Sequence, residues 1–273
     1  MVWLQKHVSI LLTSTFLVAV VLQPWPVSAA EIMFEGYYKV ELEQKPIGFA
    51  IQRYEYDDKT KNFTSTYFLK VNLGGQVRQE SLKAVSNDKF HPVSYSYTFH
   101  GGEEIKTIDA KYKVKGDKVS GDLTINDGKK TSNMNAISPK STFLSNFLGY
   151  LMLQSGLDVG KKFGYSGIAE EDGNSYRGEA WIKETTTFNK QEAFKVINKF
   201  KGQSFISYVN KKAEVLGTVS PAQNLSTTLV ASPIEATMGQ TVPNKVLSQL
   251  FGNIPVGKAN PLAKAKESSG EQK

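Results

Sequence analysis

The sequence predicts a mainly β protein, in the form of a curved antiparallel sheet or half-barrel with one apolar helix packed on its concave face. Three observations predict this class. Apolar and polar residues alternate over much of the chain, turn residues recur at regular spacing, and one mid-chain segment has its apolar residues at helical spacing. Alternation with period two indicates a sheet with one dry face and one solvated face.

The alternating pattern covers residues 34–136. In its first strand, for example, Val40 lies between the charged residues Lys39 and Glu41. Glycine or Asx residues separate the alternating runs, and Gly74-Gly75 is typical of a tight turn between two strands. We therefore expect a meander of antiparallel strands over this part of the chain.

The segment from Ser141 to Gln154 predicts a helix instead. Ser141 or Thr142 can cap its start, and Gly156 can end it in the left-handed conformation. We expect this helix to cover the dry face of the sheet as a plug or lid. Its apolar residues, which recur at helical spacing, are Phe143, Leu144, Phe147, Leu148, Leu151 and Met152.

The chain is expected to have three parts. Residues 1–30 form a signal peptide, residues 31–255 an antiparallel β domain with the helix near 141–154, and residues 256–273 a disordered tail. Within the β domain, the segment Pro243–Phe251 predicts a short helix. The tail is rich in glycine, alanine, lysine and serine and has no aromatic residue, which is typical of disorder.

The first thirty residues predict export. Lys6 precedes an apolar run of about 15 residues, and the small residues up to Ala30 provide a cleavage site near Ala29 or Ala30. We therefore expect the protein to be periplasmic or secreted. The apolar run is shorter than the roughly 20 residues of a membrane-spanning helix, so no integral span is expected in the mature chain.

Composition excludes several classes of protein. The chain has no cysteine, which excludes a lipid-modified cysteine, thiolate zinc sites and cysteine nucleophiles. The net charge of +7 comes mainly from lysine, since the arginines are only Arg53, Arg78 and Arg177. Arginine is the usual bidentate ligand of phosphates and guanine edges, so we expect no nucleic-acid partner.

No motif predicts a catalytic centre, a metal site or a cofactor, and we expect a protein that is not an enzyme. No serine lies in a nucleophile elbow, and His91 and His100 are expected in surface loops. The acidic run Glu170–Asp172 is typical of solvated loop carboxylates. A glycosidase acid needs a poorly solvated site instead.

The aromatic residues supply the candidate binding site. A concave sheet face covered by a helix is a common place for an apolar ligand. The alternative is that the same side chains fill a closed core. The predicted ligand-binding residues are Phe143, Phe147, Tyr150, Leu151 and Trp181.

Three features of the order of segments carry a resemblance: the strand–turn–strand of Tyr38–Phe49, the mid-chain helix leading into Leu157–Phe163, and the late strands around Phe205–Asn210. They resemble bacterial envelope domains of unknown function that occur alone or beside transglutaminase-like peptidase domains. These domains are loosely similar to the lipoprotein-carrier half-barrel. The resemblance implies a curved, largely antiparallel sheet and no catalytic residues, with any peptidase as a separate partner.

The sequence therefore predicts an exported, non-enzymatic envelope protein. Its curved sheet would bind an apolar ligand such as a lipid, an acylated protein, or another envelope protein as partner. Two alternatives stay open. An outer-membrane β-barrel shares the signature of export and alternation, although the polar end Glu271–Lys273 does not favour it. An envelope hydrolase is the other.

Overall fold

The computed structural model describes residues 30–257, which form one curved, open sheet of 15 strands with three short α-helices. The predicted mainly β class is confirmed. The predicted signal peptide, apart from Ala30, and residues 258–273 of the predicted tail lie outside the described residues. Within residues 30–257, no helix is both long and apolar enough to cross a membrane.

The first eight strands form an antiparallel meander in which each strand pairs with the next along the chain. Period-two alternation produces these strands, as the sequence predicts. Their bounds are β1 Glu31–Leu42, β2 Lys45–Asp57, β3 Asn62–Leu73, β4 Gln76–Asn87, β5 Pro92–Gly101, β6 Glu104–Lys115, β7 Lys118–Asn126 and β8 Thr131–Pro139.

The remaining strands form a second meander, which starts with a short parallel pair between β9 and β10 and continues antiparallel to β15. The strands are β9 Phe143–Leu144, β10 Lys162–Ala169, β11 Asn174–Phe188, β12 Gln191–Phe200, β13 Gln203–Val209, β14 Val215–Ser220 and β15 Leu225–Val230. The helices are α1 Leu148–Ser155, α2 Pro233–Thr237 and α3 Asn244–Phe251.

Pairing of β15 with β1 joins the two meanders, so that β8 and β9 are the two edges of the sheet. These edges follow one another in the chain, with Lys140–Thr142 between them. Four Cα steps span at most about 14 Å, so the edges must approach each other here. The Oγ atoms of Ser138 on β8 and Ser175 on β11 lie 3.0 Å apart. The sheet therefore curls round its inner face but stays open.

Local turn and helix predictions are largely confirmed. Gly74 and Gly75 have positive φ angles of 60° and 87°, which link β3 to β4 tightly. The helix predicted over Pro243–Phe251 is α3, with Pro243 just before its first residue. The last strand, β15, ends at Val230, and Pro233 begins α2 shortly after it.

The outer face of β1, β2 and β3 is covered by α2 and α3, which makes these three strands buried on both sides. The apolar residues that meet there are Tyr37, Phe49, Ile51, Phe68, Ala236, Leu247 and Phe251. Alternation predicts this outer face of β1 to be solvated, and Glu35 lies on it because it has the same parity as Tyr37. Glu35 is instead 3% exposed, because the chain after α3 folds back over it.

An ion pair between Glu35 and Arg53 holds this C-terminal segment in place. Arg53 Nε donates to Glu35 Oε2 at 2.7 Å, and Arg53 Nη1 donates to the carbonyl of Phe251 at 2.7 Å. The second carboxylate oxygen of Glu35 accepts from the backbone N–H groups of Val256 at 2.8 Å and Gly257 at 2.7 Å. Both charges are thus buried, paired and hydrogen-bonded, which is the condition under which buried charges persist.

Replacement of Arg53 by methionine is expected to lower the free energy of unfolding by about 3–5 kcal/mol, because Glu35 is left buried and uncompensated. Urea denaturation at neutral pH measures the change. The control is Lys211→Met, since Lys211 pairs with Glu192 at the surface and such pairs contribute about 0–1 kcal/mol. Equal effects of the two substitutions would contradict the proposed role of the buried pair.

Candidate functional site

The segment that connects the two edges of the sheet also fills its concave side. The predicted helix over 141–154 is only partly helical: Phe143–Leu144 pair with β10, Ser145–Phe147 form a 3-10 turn, and α1 follows. The helix prediction is wrong for Phe143 and Leu144, because the backbone of these two residues pairs with β10 instead of forming hydrogen bonds within a helix. Gly156 ends α1, as the sequence predicts, but with φ 91° and ψ 134° it does not adopt the predicted left-handed helical conformation.

Two of the predicted binding residues belong to the packed interior. Phe147 and Tyr150 are buried against the inner face of the first meander. The ring centroids of Tyr54 and Tyr150 are 4.9 Å apart in a T-shaped arrangement, and those of Phe90 and Phe147 are 5.8 Å apart. These contacts anchor the segment to the sheet. Phe147 and Tyr150 therefore form the floor on which α1 rests.

The other side of α1 borders an open groove of about 560 Å³ at the edge of the sheet, which we call the edge groove. Its volume lies within the range of about 300–1,000 Å³ that is typical of ligand sites. The exposed residues Pro139, Ser141 and Arg177 also border the groove, and we call them its rim. Its apolar lining consists of Phe143, Leu148, Leu151, Met152, Phe163 and Tyr165.

Of the predicted residues, Phe143 and Leu151 therefore line the edge groove, whereas Trp181 does not. Trp181 lies on the opposite face of β11 from the buried residues Ala180 and Ile182. The ammonium group of Lys162 lies 5.2 Å from its ring centroid and that of Lys183 lies 5.8 Å from it. The structure does not bring Trp181 together with the other four predicted residues.

Sequence analysis missed several lining residues of the groove, notably Phe163 and Tyr165. Both lie on β10, where apolar residues alternate with Gly164 and Ser166. This alternation is the signal that could have identified them. No comparable sequence signal identifies Arg177 as a groove residue, because its position beside the groove depends on the pairing of β10 with β11.

A second, smaller cavity of about 160 Å³ lies on the other side of α1, between the helix and strands β12 to β14. It is lined by Met152, Val196 and Val209 together with the polar side chains of Asn198 and Ser207. Tyr165 spans the region between this cavity and the edge groove, since its hydroxyl donates to Asn198 Oδ1 at 2.7 Å. Helix α1 is thus not packed tightly on every side.

Glu170 is a buried carboxyl beneath the start of this segment. It is 2% exposed, so the sequence-based expectation of a solvated loop carboxylate is wrong for this residue. The end of the β10–β11 hairpin packs against the inner face of the first meander, where the backbone at Gly173 closely approaches Leu123. Ser145 Oγ donates to Glu170 Oε2 at 2.6 Å.

Burial raises the pKa of the Glu170 carboxyl to about 7, and the hydrogen bond from Ser145 opposes this shift only in part. No lysine or arginine among residues 30–257 forms an ion pair with it. Its acidic neighbours behave differently, since Glu171 and Asp172 both pair with Lys201 near the surface. Glu170 is therefore the buried member of the acidic run, and its raised pKa favours the protonated form below a pH of about 7.

Within residues 30–257, no three side chains of histidine, aspartate or glutamate come together as a group that could hold a metal ion. The groove is lined mainly by apolar side chains and has a cationic group at its rim, and a mainly apolar lining with a few polar groups is typical of ligand sites.

Glu170 is expected to make the stability of the fold depend on pH. The unfolded carboxyl loses its proton near its ordinary pKa of about 4.5, whereas the folded carboxyl keeps it until about 7. The free energy of unfolding should therefore fall by about 3 kcal/mol as pH rises through this window and then level off. Glu170→Gln is expected to remove this fall, as measured by urea denaturation between pH 4 and 8.

The control for this experiment is Glu103→Gln, because Glu103 is exposed in the turn between β5 and β6. It should leave the pH dependence of the wild-type protein unchanged. If the Glu170→Gln protein kept the same decline in stability between pH 4.5 and 7, Glu170 would not be its source.

A solved structure has a fold similar to this one. It is a β-barrel-like protein of the domain of unknown function DUF1849 from Brucella abortus, with a TM-score of 0.56 and 11% sequence identity; the match covers 74% of this chain and 98% of that chain. A DUF1089 family protein from Pseudomonas aeruginosa matches with a TM-score of 0.38 and 10% identity, over 64% of this chain and 90% of that chain.

No family model and no curated protein matches the sequence. The similarity to the Brucella protein confirms the fold alone. The chain is similar in fold to a β-rich, β-barrel-like domain of unknown function, in agreement with the class of domain that the sequence resembles.

Proposed function

We propose that this chain is an exported, non-enzymatic envelope protein that binds an apolar ligand in the edge groove. One observation carries the proposal: an open groove of about 560 Å³ is lined by six apolar or aromatic side chains at the edge of the sheet. Apolar surface that remains open to water gains free energy when a ligand covers it, by about 25 cal/mol for each Å² buried.

The polar groups at the rim support an orientation for such a ligand. Arg177 forms no ion pair within residues 30–257, and it lies beside the apolar lining of the groove. A ligand with an apolar body and an anionic end would place the body against Leu151 and Met152 and the anionic end near Arg177. A few polar groups around an apolar site commonly provide this kind of orientation.

Export supports the envelope setting. The first thirty residues have the pattern of a signal peptide, and the absence of cysteine is compatible with an oxidising compartment. Cell fractionation together with N-terminal sequencing tests this part of the proposal. A periplasmic or secreted protein that starts near Glu31 is the expected result, and an uncleaved chain in the cytoplasm would contradict it.

A hydrolase is a second candidate, and the raised pKa of Glu170 is the observation that favours it. Two observations weigh against a hydrolase. Glu170 is 2% exposed and does not line the edge groove. Its oxygen atoms accept hydrogen bonds from Ser145 Oγ and the backbone of Asn146, which ties the carboxyl to the start of the segment. Binding is therefore the function that the geometry supports better.

Native mass spectrometry of residues 31–273 after periplasmic expression, with organic extraction of bound molecules, tests the binding proposal. The expected result is a copurifying apolar molecule that is lost when the edge groove is altered. A mass that corresponds to the protein alone, together with no binding of a fluorescent fatty acid, would contradict the proposal.

Leu151→Asn is expected to weaken binding of a fluorescent fatty acid by about 10-fold or more, because it replaces an apolar lining side chain by a polar one of similar size. The matched control is Leu153→Asn. Leu153 lies on the same helix but is exposed and does not line the groove, so its replacement should leave the affinity unchanged. Equal effects of both substitutions would place the ligand elsewhere.

A further inference from the structure

Strand β10 has a free edge along the edge groove. On one side, β10 pairs with β11 over its whole length from Lys162 to Ala169. On the other side, β9 pairs only with Gly167 and Ile168. Among residues 30–257, no strand pairs with the edge of β10 from Lys162 to Tyr165. Such an edge presents unpaired backbone groups to any extended chain that approaches it.

The hydrogen-bonding pattern between β10 and β11 determines which backbone groups of β10 point away from β11. The N–H of Ile182 donates to the carbonyl of Lys161, so Lys161 directs its backbone groups toward β11. Because direction alternates along an antiparallel pair, Lys162, Gly164 and Ser166 direct their N–H and C=O groups away from β11. At Gly164, a Cβ atom would meet no heavy atom within 4 Å, which leaves room for another backbone to approach.

The two faces of this edge have different chemistry. Phe163 and Tyr165 face the groove and α1. Lys162 lies on the other face, where it packs over the ring of Trp181. Arg177 is opposite Ser166 in the ladder, so it also starts from this face, and its side chain borders the groove at the rim. Every second side chain of an added strand would therefore contact the apolar groove, and the side chains in between would contact the cationic face.

One acid lies on the cationic face, and its position does not cancel the charge. Glu179 is opposite Gly164 in the β10–β11 ladder, and on its other side it is opposite Lys199 of β12. Lys140 adds a further cation beside the rim of the groove, between Pro139 and Ser141. The outer face of this edge is thus complementary to acidic side chains.

We propose that the free edge of β10 binds an extended segment of another protein by strand addition, and that this segment alternates apolar with acidic residues. Backbone hydrogen bonds to Lys162 and Gly164 would hold the segment. Its apolar side chains would enter the edge groove, and its acidic side chains would face Lys162 and Arg177. Strand addition to an exposed edge is an established way to recognise a peptide. The inference rests on the proposed binding role of the edge groove, for which it specifies a partner.

The test uses a fluorescein-labelled octapeptide that alternates glutamate with leucine or valine, and measures its binding to residues 31–273 by fluorescence anisotropy. A peptide of the same composition with all its glutamates at one end is the first control. A peptide methylated on every second backbone nitrogen is the second, because methylation removes the donors needed for pairing. Saturable binding of the alternating peptide alone is expected; equal binding of all three would overturn the proposal.

The variant pair Gly164→Pro and Gly164→Ala tests the position of the site. Proline removes the outward N–H but no donor to β11, which edge strands tolerate. We expect Gly164→Pro to weaken peptide binding about 10-fold or more and Gly164→Ala to leave it unchanged. Asn135→Pro, at an exposed position on the other edge strand β8, controls for an edge proline as such. Should the Gly164→Pro protein fail to fold, the methylated peptide tests the same hydrogen bonds.

Charge reversal by Arg177→Glu is expected to weaken binding of the acidic peptide and to improve binding of a peptide that alternates lysine with leucine or valine. A parallel titration with fluorescent fatty acid separates the two proposals. Fatty-acid binding without peptide binding would overturn the inference and leave the apolar binding role intact. Failure of both ligands to bind would contradict both.

Discussion

An open sheet with an apolar inner face must have that face covered by some other part of the chain, and the rest of this structure depends on how that is achieved. The two edges of the sheet are consecutive in sequence, with Lys140–Thr142 between them. The chain therefore enters the concave side directly after it leaves β8. Phe147 and Tyr150 anchor the chain there, and the edge groove lies open along the outer side of α1.

The two buried carboxylates of the fold illustrate opposite solutions to the cost of burying charge. Glu35 forms an ion pair with Arg53, and its second oxygen accepts hydrogen bonds from the backbone of Val256 and Gly257. Glu170 has only hydrogen-bond donors around it, so burial shifts its pKa toward neutrality instead. The Glu35–Arg53 pair holds the C-terminal segment on the outer face of the sheet. Glu170 lies beneath the segment that lines the edge groove.

Sequence analysis was most successful where local patterns determine structure. Alternation predicted the first meander, Gly74-Gly75 predicted a turn, and helical spacing predicted the segment that contains α1. Of the candidate site, Phe143 and Leu151 were predicted and do line the edge groove. Trp181 was grouped with them by residue type, but the pairing of β11 places it on the other face. When both faces of a strand carry aromatic side chains, no local signal in the sequence tells which face points to the interior.

The sequence by itself determined the mainly β class, the strand and turn pattern and the apolar character of the segment before Gly156, because these depend on contacts between residues close in the chain. Tertiary structure alone decided that Glu35 and Glu170 are buried and that β10 keeps a free edge beside the groove. These features arise from pairing and packing between residues far apart in sequence, and hydrophobic periodicity contains no information about which distant segments meet.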